Sequence, residues 1–567
     1  MTAATTNADQ VLGILEEAGV EQVFTCPGTT EVPLLDASVA RQGVRFVLAT
    51  HEAAAVAMAD GYARASGRPG VALLHANVGM TNGLAMVEAA RVGRSPVLVL
   101  NGTKPTGLRN RRTFTATPGS AGVAAPFTVA AMEAGSAASL PADLAEALAA
   151  TRGSRRGPVY LGLAQDLLAQ AATGRAAGAQ SDREVTGPAG DEAIDAVARH
   201  LVAAERVAIV AGSDLARAGV TREIEQLAEL LPAPVFEPPW RDVERETVDT
   251  AGERYCGLLS DGADLLDGAV VLVVGTPAFQ EPDDGPCLLP DSARVVHVTE
   301  PGTAIQPGAS VLPGDVGRTV ELLATRVREH ARAAGGEDGR DAERAYWTDS
   351  VRREHRRRLE KALGGPGRDA GGGAADPAGE RDLISTVTLC RVLDEWRNRA
   401  DPVVADAVTA TATLLRALPR GAGPFYATGS GSLGWGLGAA VGVALARPDE
   451  RVHALVADGV FQFGIQAVRT AVAEGAPVTW IVLNNRSYHA VRLALRGYGG
   501  AAARTGTYPC SDLGDTDVAA LARAFGAYGR RVSELSQLPA ALDEAGSRPG
   551  PSVVEVMVAA DTANPAR

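Results

Sequence analysis

The chain has 567 residues, enough for roughly three or four domains, with 46% hydrophobic residues, as in a globular protein. A formal net charge of −13 argues against general binding to nucleic acid or to an anionic membrane. Five scattered cysteines (Cys26, Cys256, Cys287, Cys390, Cys510) without a CxxC point to reduced thiols in the cytoplasm and against a zinc site.

The opening MTAATTNADQ has no basic segment followed by an apolar core, so no signal peptide is expected. No apolar run approaches the ~20 residues needed to span a bilayer. Residues 1–172 alternate strand-like runs (22–25, 44–50, 71–75, 97–100, 159–163) with helix-like ones (8–18, 52–65). That alternation predicts a parallel sheet covered on both faces. His51 ends a strand and Glu52 opens a helix, a placement that the helix dipole favours. Beyond a charged, Gly/Ala-rich stretch, residues 190–335 repeat the pattern, with apolar runs at 207–212, 269–275 and 294–299 that suit buried parallel strands. The loop Gly212-Ser213-Asp214 is not GxGxxG, so a structural α/β domain is expected there. Residues 336–382 read as a linker, with a charged surface helix at 351–363 and a flexible Gly-rich run at 364–380. Only two lysines, Lys104 and Lys361, occur, which leaves few candidates for Schiff-base chemistry.

The third block, 383–567, carries the most informative segment. One apolar run ends at Ala457-Asp458-Gly459 and a second at Asn484-Asn485. Ile465, Val468 and Val472 lie between them at helical spacing. Such a βαβ unit places both turns at the carboxyl edge of a parallel sheet, where ligands of open α/β sheets bind. A carboxylate beside an amide oxygen suits Mg²⁺, which usually also takes phosphate oxygens and water. The segment therefore predicts a site for a metal-bound diphosphate.

Asp-Gly followed by Asn-Asn at this spacing resembles the signature of thiamine diphosphate-dependent enzymes, with Ala457 in place of the first glycine. HEAAAVAMADGYAR (51–64), CPGTTEVP (26–33), LHANVGMTN (74–82), GTPAF (275–279) and NNRSYHAVR (484–492) extend the likeness over nearly the whole chain. It is greatest to the benzoylformate decarboxylase branch, close to acetolactate synthases. The resemblance implies three doubly wound α/β domains: pyrimidine-binding, middle and diphosphate-binding. It implies that Glu52 hydrogen-bonds the cofactor's pyrimidine and promotes removal of the thiazolium C2 proton, so that a ylide and then an enamine form. It implies Asp458, Asn485 and the Ser487 carbonyl as Mg²⁺ ligands. Thr409 would hold the diphosphate, the Gly431 carbonyl the pyrimidine amino group, and Leu433 would wedge the two rings into a V. Pro27, Asn82, Gly459, Val460, Tyr488 and His489 complete the expected cofactor contacts. Thr29 and His75 occupy the positions that face the substrate.

Three departures stand out. Pro282 replaces a second active-site histidine, His489 stands where relatives often have glycine, and Ala457 alters the first turn. Arg109, Arg111 and Arg112 lie in a loop near the expected mouth, more in keeping with an exposed loop than with a carboxylate clamp. The resemblance implies decarboxylation of a 2-oxo acid, with no nucleic acid or membrane partner. The alternatives are a carboligase or C–C lyase that uses a second carbonyl acceptor, and a degenerate cofactor-binding subunit. FAD in the middle domain is allowed by the resemblance but not called for. The two half-sites lie on different domains, which in the family it resembles meet from different subunits, so the resemblance implies a homodimer at least, and a homotetramer.

Overall fold

A computed structural model describes residues 5–172 and 187–559, apart from 42, 110, 116–117, 154, 246, 281–287, 335–339, 364–382 and 421–422. It contains three six-stranded sheets whose strand pairs are all parallel. The first sheet runs, edge to edge, Arg45–Leu48, Gln22–Cys26, Gly70–His75, Val97–Thr103, Val159–Ala164 and Ala130–Glu133. The third runs Phe425–Ala427, Val403–Asp406, Val452–Ala457, Val478–Asn484, Ser552–Met557 and Tyr528–Val532, so the two thread their strands in the same order. The middle sheet follows another order: Ser310–Pro313, Arg294–Thr299, Val270–Val274, Val207–Ala211, Val235–Glu237 and Tyr255–Leu258. Its central strands are fully buried, as their unbroken apolar runs require. The expected three α/β sheets are thus present. Among the described residues no helix is long and apolar enough to cross a membrane.

The first and third sheets meet through two helices, Glu52–Ser66 and Trp435–Ala446, which pack closely against each other. Small residues allow the approach. A Cβ on Gly61 would lie 2.2 Å from the Ala439 carbonyl oxygen, and one on Gly442 2.0 Å from that of Met58. Asp60 and Arg64 form a buried ion pair within this seam, and Trp435 Nε1 donates to Asp60 at 2.6 Å. The middle sheet is tied to the third by a buried pair, in which Arg420 donates to both Glu237 carboxylate oxygens at 2.7 and 2.5 Å. Arg94 pairs with Asp214 to tie it to the first.

The predicted charged helix is longer than expected, Arg340–Ala362, and is not simply a solvated face. Arg344, Thr348, Val351 and His355 are buried along one stripe. Arg344 reaches the carbonyls of Leu201, Val202 and Ala204 at the end of a neighbouring helix, where a cation offsets the helix dipole. The Gly-rich run 364–380 and Pro282 lie outside the described residues.

Candidate active site

The strand Val452–Ala457 delivers Asp458 to the carboxyl edge of the third sheet, as the first residue of a short helix, Asp458–Gly464. Ala457 has φ −77° and ψ 159°, an extended conformation open to any residue, so the missing glycine leaves the turn unstrained. Gly459 is needed for a different reason: a Cβ there would lie 2.8 Å from the Tyr488 ring.

Asp458 is 3% exposed. Its Oδ1 accepts from the Gly459 N–H at 2.9 Å, while Oδ2 is buried with no hydrogen-bond partner. Burial pushes this carboxyl up to about 6, against the pull of the Gly459, Arg486 and Ser487 N–H groups. A bare, buried carboxylate oxygen is costly unless something cationic meets it.

The next strand ends at Asn484, and Arg486 turns the chain back with φ 57°. Asn484 Oδ1 accepts from the Arg486 N–H at 2.9 Å, and its Nδ2 donates to buried Glu555 at 2.6 Å. Asn485 Oδ1 accepts from the Ser487 N–H and Oγ, both at 3.0 Å. The amide next to Asp458 is therefore held by its own loop. A cavity of about 230 Å³ opens between these turns. Asp458, Gly459, Val460, Asn485, Ser487, Tyr488 and His489 border it on one side. Thr409, Gly431 and Leu433 border it on the other. Every residue singled out in the C-terminal block thus meets at one place.

That donor set fits the expected group. Among the described residues no three His, Cys, Asp or Glu side chains gather as a metal site. A cation here would depend on one carboxylate, an amide and a carbonyl oxygen, with phosphate oxygens to complete its shell, which is the habit of Mg²⁺. Gly431 faces open space, with nothing within 4 Å of where its Cβ would stand. Asp406, buried just behind the cavity, accepts from the Gly436 N–H at 2.9 Å and so joins the strand end to the helix after the Gly-rich turn. Burial pushes its carboxyl up to about 7.

The second group lies at the carboxyl edge of the first sheet. Glu52 opens its helix, which His51 caps by accepting from the Ala53 N–H at 3.1 Å. Ala54, Ala55 and Val56 are buried behind it. Asn82 Nδ2 donates to Glu52 Oε2 at 3.1 Å. Burial and the carboxylates of Glu52 and Glu31 push the Cys26 thiol up to about 11, which keeps it neutral.

His75 ends its strand and precedes the helix Ala76–Val92. Its Nδ1 lies 2.9 Å from Thr30 Oγ1 and 3.2 Å from Glu31 Oε2. Glu31 is fully buried and accepts from the Gly28 N–H at 2.7 Å. The Thr30 hydroxyl also contacts Glu31 and lies 3.0 Å from the Gly102 carbonyl. Two glycines make room: a Cβ on Gly28 would meet the His75 ring at 2.3 Å, and one on Gly102 would meet Glu31 at 1.9 Å.

Sequence reasoning missed Thr30 and Glu31. It singled out Thr29, which is exposed and whose carbonyl accepts from Gln165 at 3.2 Å. The available signal was an acidic residue set between a Pro-Gly turn and an apolar helix. Pro27 is exposed on the same loop. Arg109 is held by Glu133 at 3.3 Å and donates to the Ala134 carbonyl, so it is tied to its own domain. Arg111 and Arg112 are exposed.

Within one chain these N-terminal groups take no part in the C-terminal cavity, which is lined only by residues between 386 and 559. Large apolar side chains stand exposed beside both groups. Leu48 (56%) and Val78 (46%) flank the first, and Phe463 (57%) and Val491 (41%) the second.

The chain matches two family profiles. Residues 5–121 match the thiamine pyrophosphate enzyme N-terminal TPP binding domain, and residues 407–556 the C-terminal TPP binding domain. It is 30% identical to a benzoylformate decarboxylase of Pseudomonas aeruginosa over 96% of this chain and 97% of that protein. It is 25% identical to the acetolactate synthase isozyme 1 large subunit of Escherichia coli, covering 98% and 94%. The structure superposes on the thiamine diphosphate-dependent 4-hydroxybenzoylformate decarboxylase of Rhodococcus jostii with a TM-score of 0.81 and 25% identity, covering 98% and 99%. With both half-sites framed by the matched segments, and the likeness running from end to end, the chain belongs to the thiamine diphosphate (thiamine pyrophosphate) enzyme family.

Proposed function

We propose that the protein decarboxylates a 2-oxo acid with thiamine diphosphate and Mg²⁺ in a site completed across a homodimer, itself part of a homotetramer. The observation that carries this reading is the pair of complementary half-sites. One is a set of oxygen donors around a bare Asp458 oxygen, and the other is a proton-handling group around Glu52 and His75. The exposed apolar residues that flank both half-sites support burial of each against a second copy.

Thiamine diphosphate, when bound, supplies the nucleophilic carbon and takes up the electron pair left when carbon dioxide departs. The chain's residues bind, orient and move protons. Asp458, Asn485 and the Ser487 carbonyl would hold Mg²⁺, and Thr409 the diphosphate. The Gly431 carbonyl and Leu433 would set the cofactor's bend, with Pro27, Gly459, Val460, Tyr488 and His489 as further contacts. Glu52, steadied by Asn82, would share a proton with the pyrimidine ring. His75 has Nδ1 committed to Thr30 and Glu31, which leaves Nε2 to exchange a proton with the substrate. Thr29 stands on the same loop as a substrate contact.

Supplying the protein with thiamine diphosphate, Mg²⁺ and a panel of aryl and alkyl 2-oxo acids, and measuring carbon dioxide together with aldehyde, tests this. Aldehyde in step with carbon dioxide is expected. Ketol in place of aldehyde would favour a carboligase, a reading supported by Pro282 where a second proton-relay histidine would stand and by full-length likeness to an acetolactate synthase. No carbon dioxide from any acid would overturn the proposal.

A further inference from the structure

A cavity of about 610 Å³ lies at the amino edge of the first sheet, the edge opposite Glu52 and His75. Pro69 and Pro96 line it just ahead of their strands, and Leu148 lines it from the helix Leu140–Thr151. Six arginines border it: Arg64, Arg94, Arg152 and Arg156 from the N-terminal domain, Arg217 and Arg245 from the middle domain. Among the described residues its one lining carboxylate is Glu17, which is exposed.

Structural duties account for part of this charge. Asp60 holds Arg64 at 2.8 and 3.1 Å. Asp214 pairs with Arg94 and with Arg217, and Glu244 lies 3.6 Å from Arg217. Helices ending at Ser66, Val92 and Thr151 bring carbonyl ends toward the cavity, which favours Arg64 and Arg152 there. Arg156 and Arg245 are compensated least directly, Arg156 only through the fields of Asp214 and Glu300. Among the described residues neither has a carboxylate at ion-pair distance, and each has a buried Nε with no hydrogen-bond partner. Arg245 rests over the Tyr426 ring at 5.6 Å.

We propose that this cavity is a second ligand site, for a small polyanion with at least two oxyanion groups, carboxylate or phosphate ester. The planar forks of Arg156 and Arg245 would take one oxyanion each, since guanidinium matches both groups bidentately. Because the two arginines come from different domains, a bound anion would also brace the N-terminal domain against the middle one. The site is separate from the cofactor cavity and does not depend on the reaction assigned to it.

The test is calorimetric titration of the full-length protein, saturated with thiamine diphosphate and Mg²⁺, with tricarballylate and separately with fructose 1,6-bisphosphate. Saturable binding of at least one is expected, weaker at high salt, and the tighter of the two identifies the carboxylate or the phosphate source. Arg156→Gln and Arg245→Gln are each expected to weaken it by about tenfold or more, with cofactor retention unchanged. Ala149→Glu, on an exposed helix position at the wall, places a carboxylate among the arginines without removing any, and is expected to weaken binding equally while melting like the wild type. Failure of both anions to saturate in the millimolar range, or equal binding by all three variants, would overturn the proposal.

Discussion

The first and third sheets thread their strands in one order, yet their carboxyl edges carry different equipment. On the first, Glu31, Thr30 and His75 hydrogen-bond to one another, and among the described residues Glu52 is steadied by Asn82. On the third, Asn484, Asn485 and Asp458 are held by the backbone of their own turns, and one carboxylate oxygen is left bare. Groups that bond to each other through shared hydrogens are suited to passing protons. Oxygens fixed by N–H donors are suited to holding a cation. A common scaffold can thus be finished for two unlike tasks by the residues at its strand ends.

Separate substitutions should pull the two tasks apart. Glu52→Gln is expected to keep the cofactor and lower turnover by roughly 10² to 10⁴; loss of cofactor retention in this variant would break the contrast. Asp458→Ala is expected to weaken Mg²⁺-dependent cofactor retention on the order of 100-fold, with the fold intact by circular dichroism. Mixing the two inactive variants sharpens the comparison further: a mixed dimer has one intact site, so activity should reappear on mixing and be absent from either parent.

Glu31→Gln should act on the first edge alone. It is expected to lower kcat by about tenfold, while KM for cofactor stays unchanged. A pH test addresses the third edge. Asp406 and Asp458 have folded-state values of about 7 and about 6, above the 3.8 of an unperturbed carboxyl. Each binds its proton more tightly when folded, so their stabilisation is fully present below the unfolded value and is lost as pH rises through the folded one. The cofactor-free protein should therefore lose stability between pH 4 and 7, by at most about 1.4 kcal/mol per pH unit for each proton. Asp406→Asn should flatten that slope in urea titrations.

The legible parts of the chain were those with a period or a paired motif. Long apolar runs such as 270–274 and 478–484 read directly as buried strands. Short strands such as Phe425–Ala427 and Val235–Glu237 did not, because three residues are too few to show alternation. The C-terminal residues were recognisable because each sits on a turn of fixed chemistry. Thr30 and Glu31 escaped notice because burial of a charged side chain is decided by neighbours distant in sequence, here Gly102 and His75. Burial of Arg344 within an Arg-rich helix escaped for the same reason, since its partners are carbonyls near residue 202.

The glycine-lined crossing of Glu52–Ser66 and Trp435–Ala446 has one more consequence. Each of these helices begins beside a half-site, the first at Glu52 and the second just after the Leu433 turn. In the proposed dimer those two half-sites belong to different active centres. In that dimer the crossing would form the shortest packed link between the paired centres, with no room at Gly61 or Gly442 for a larger side chain.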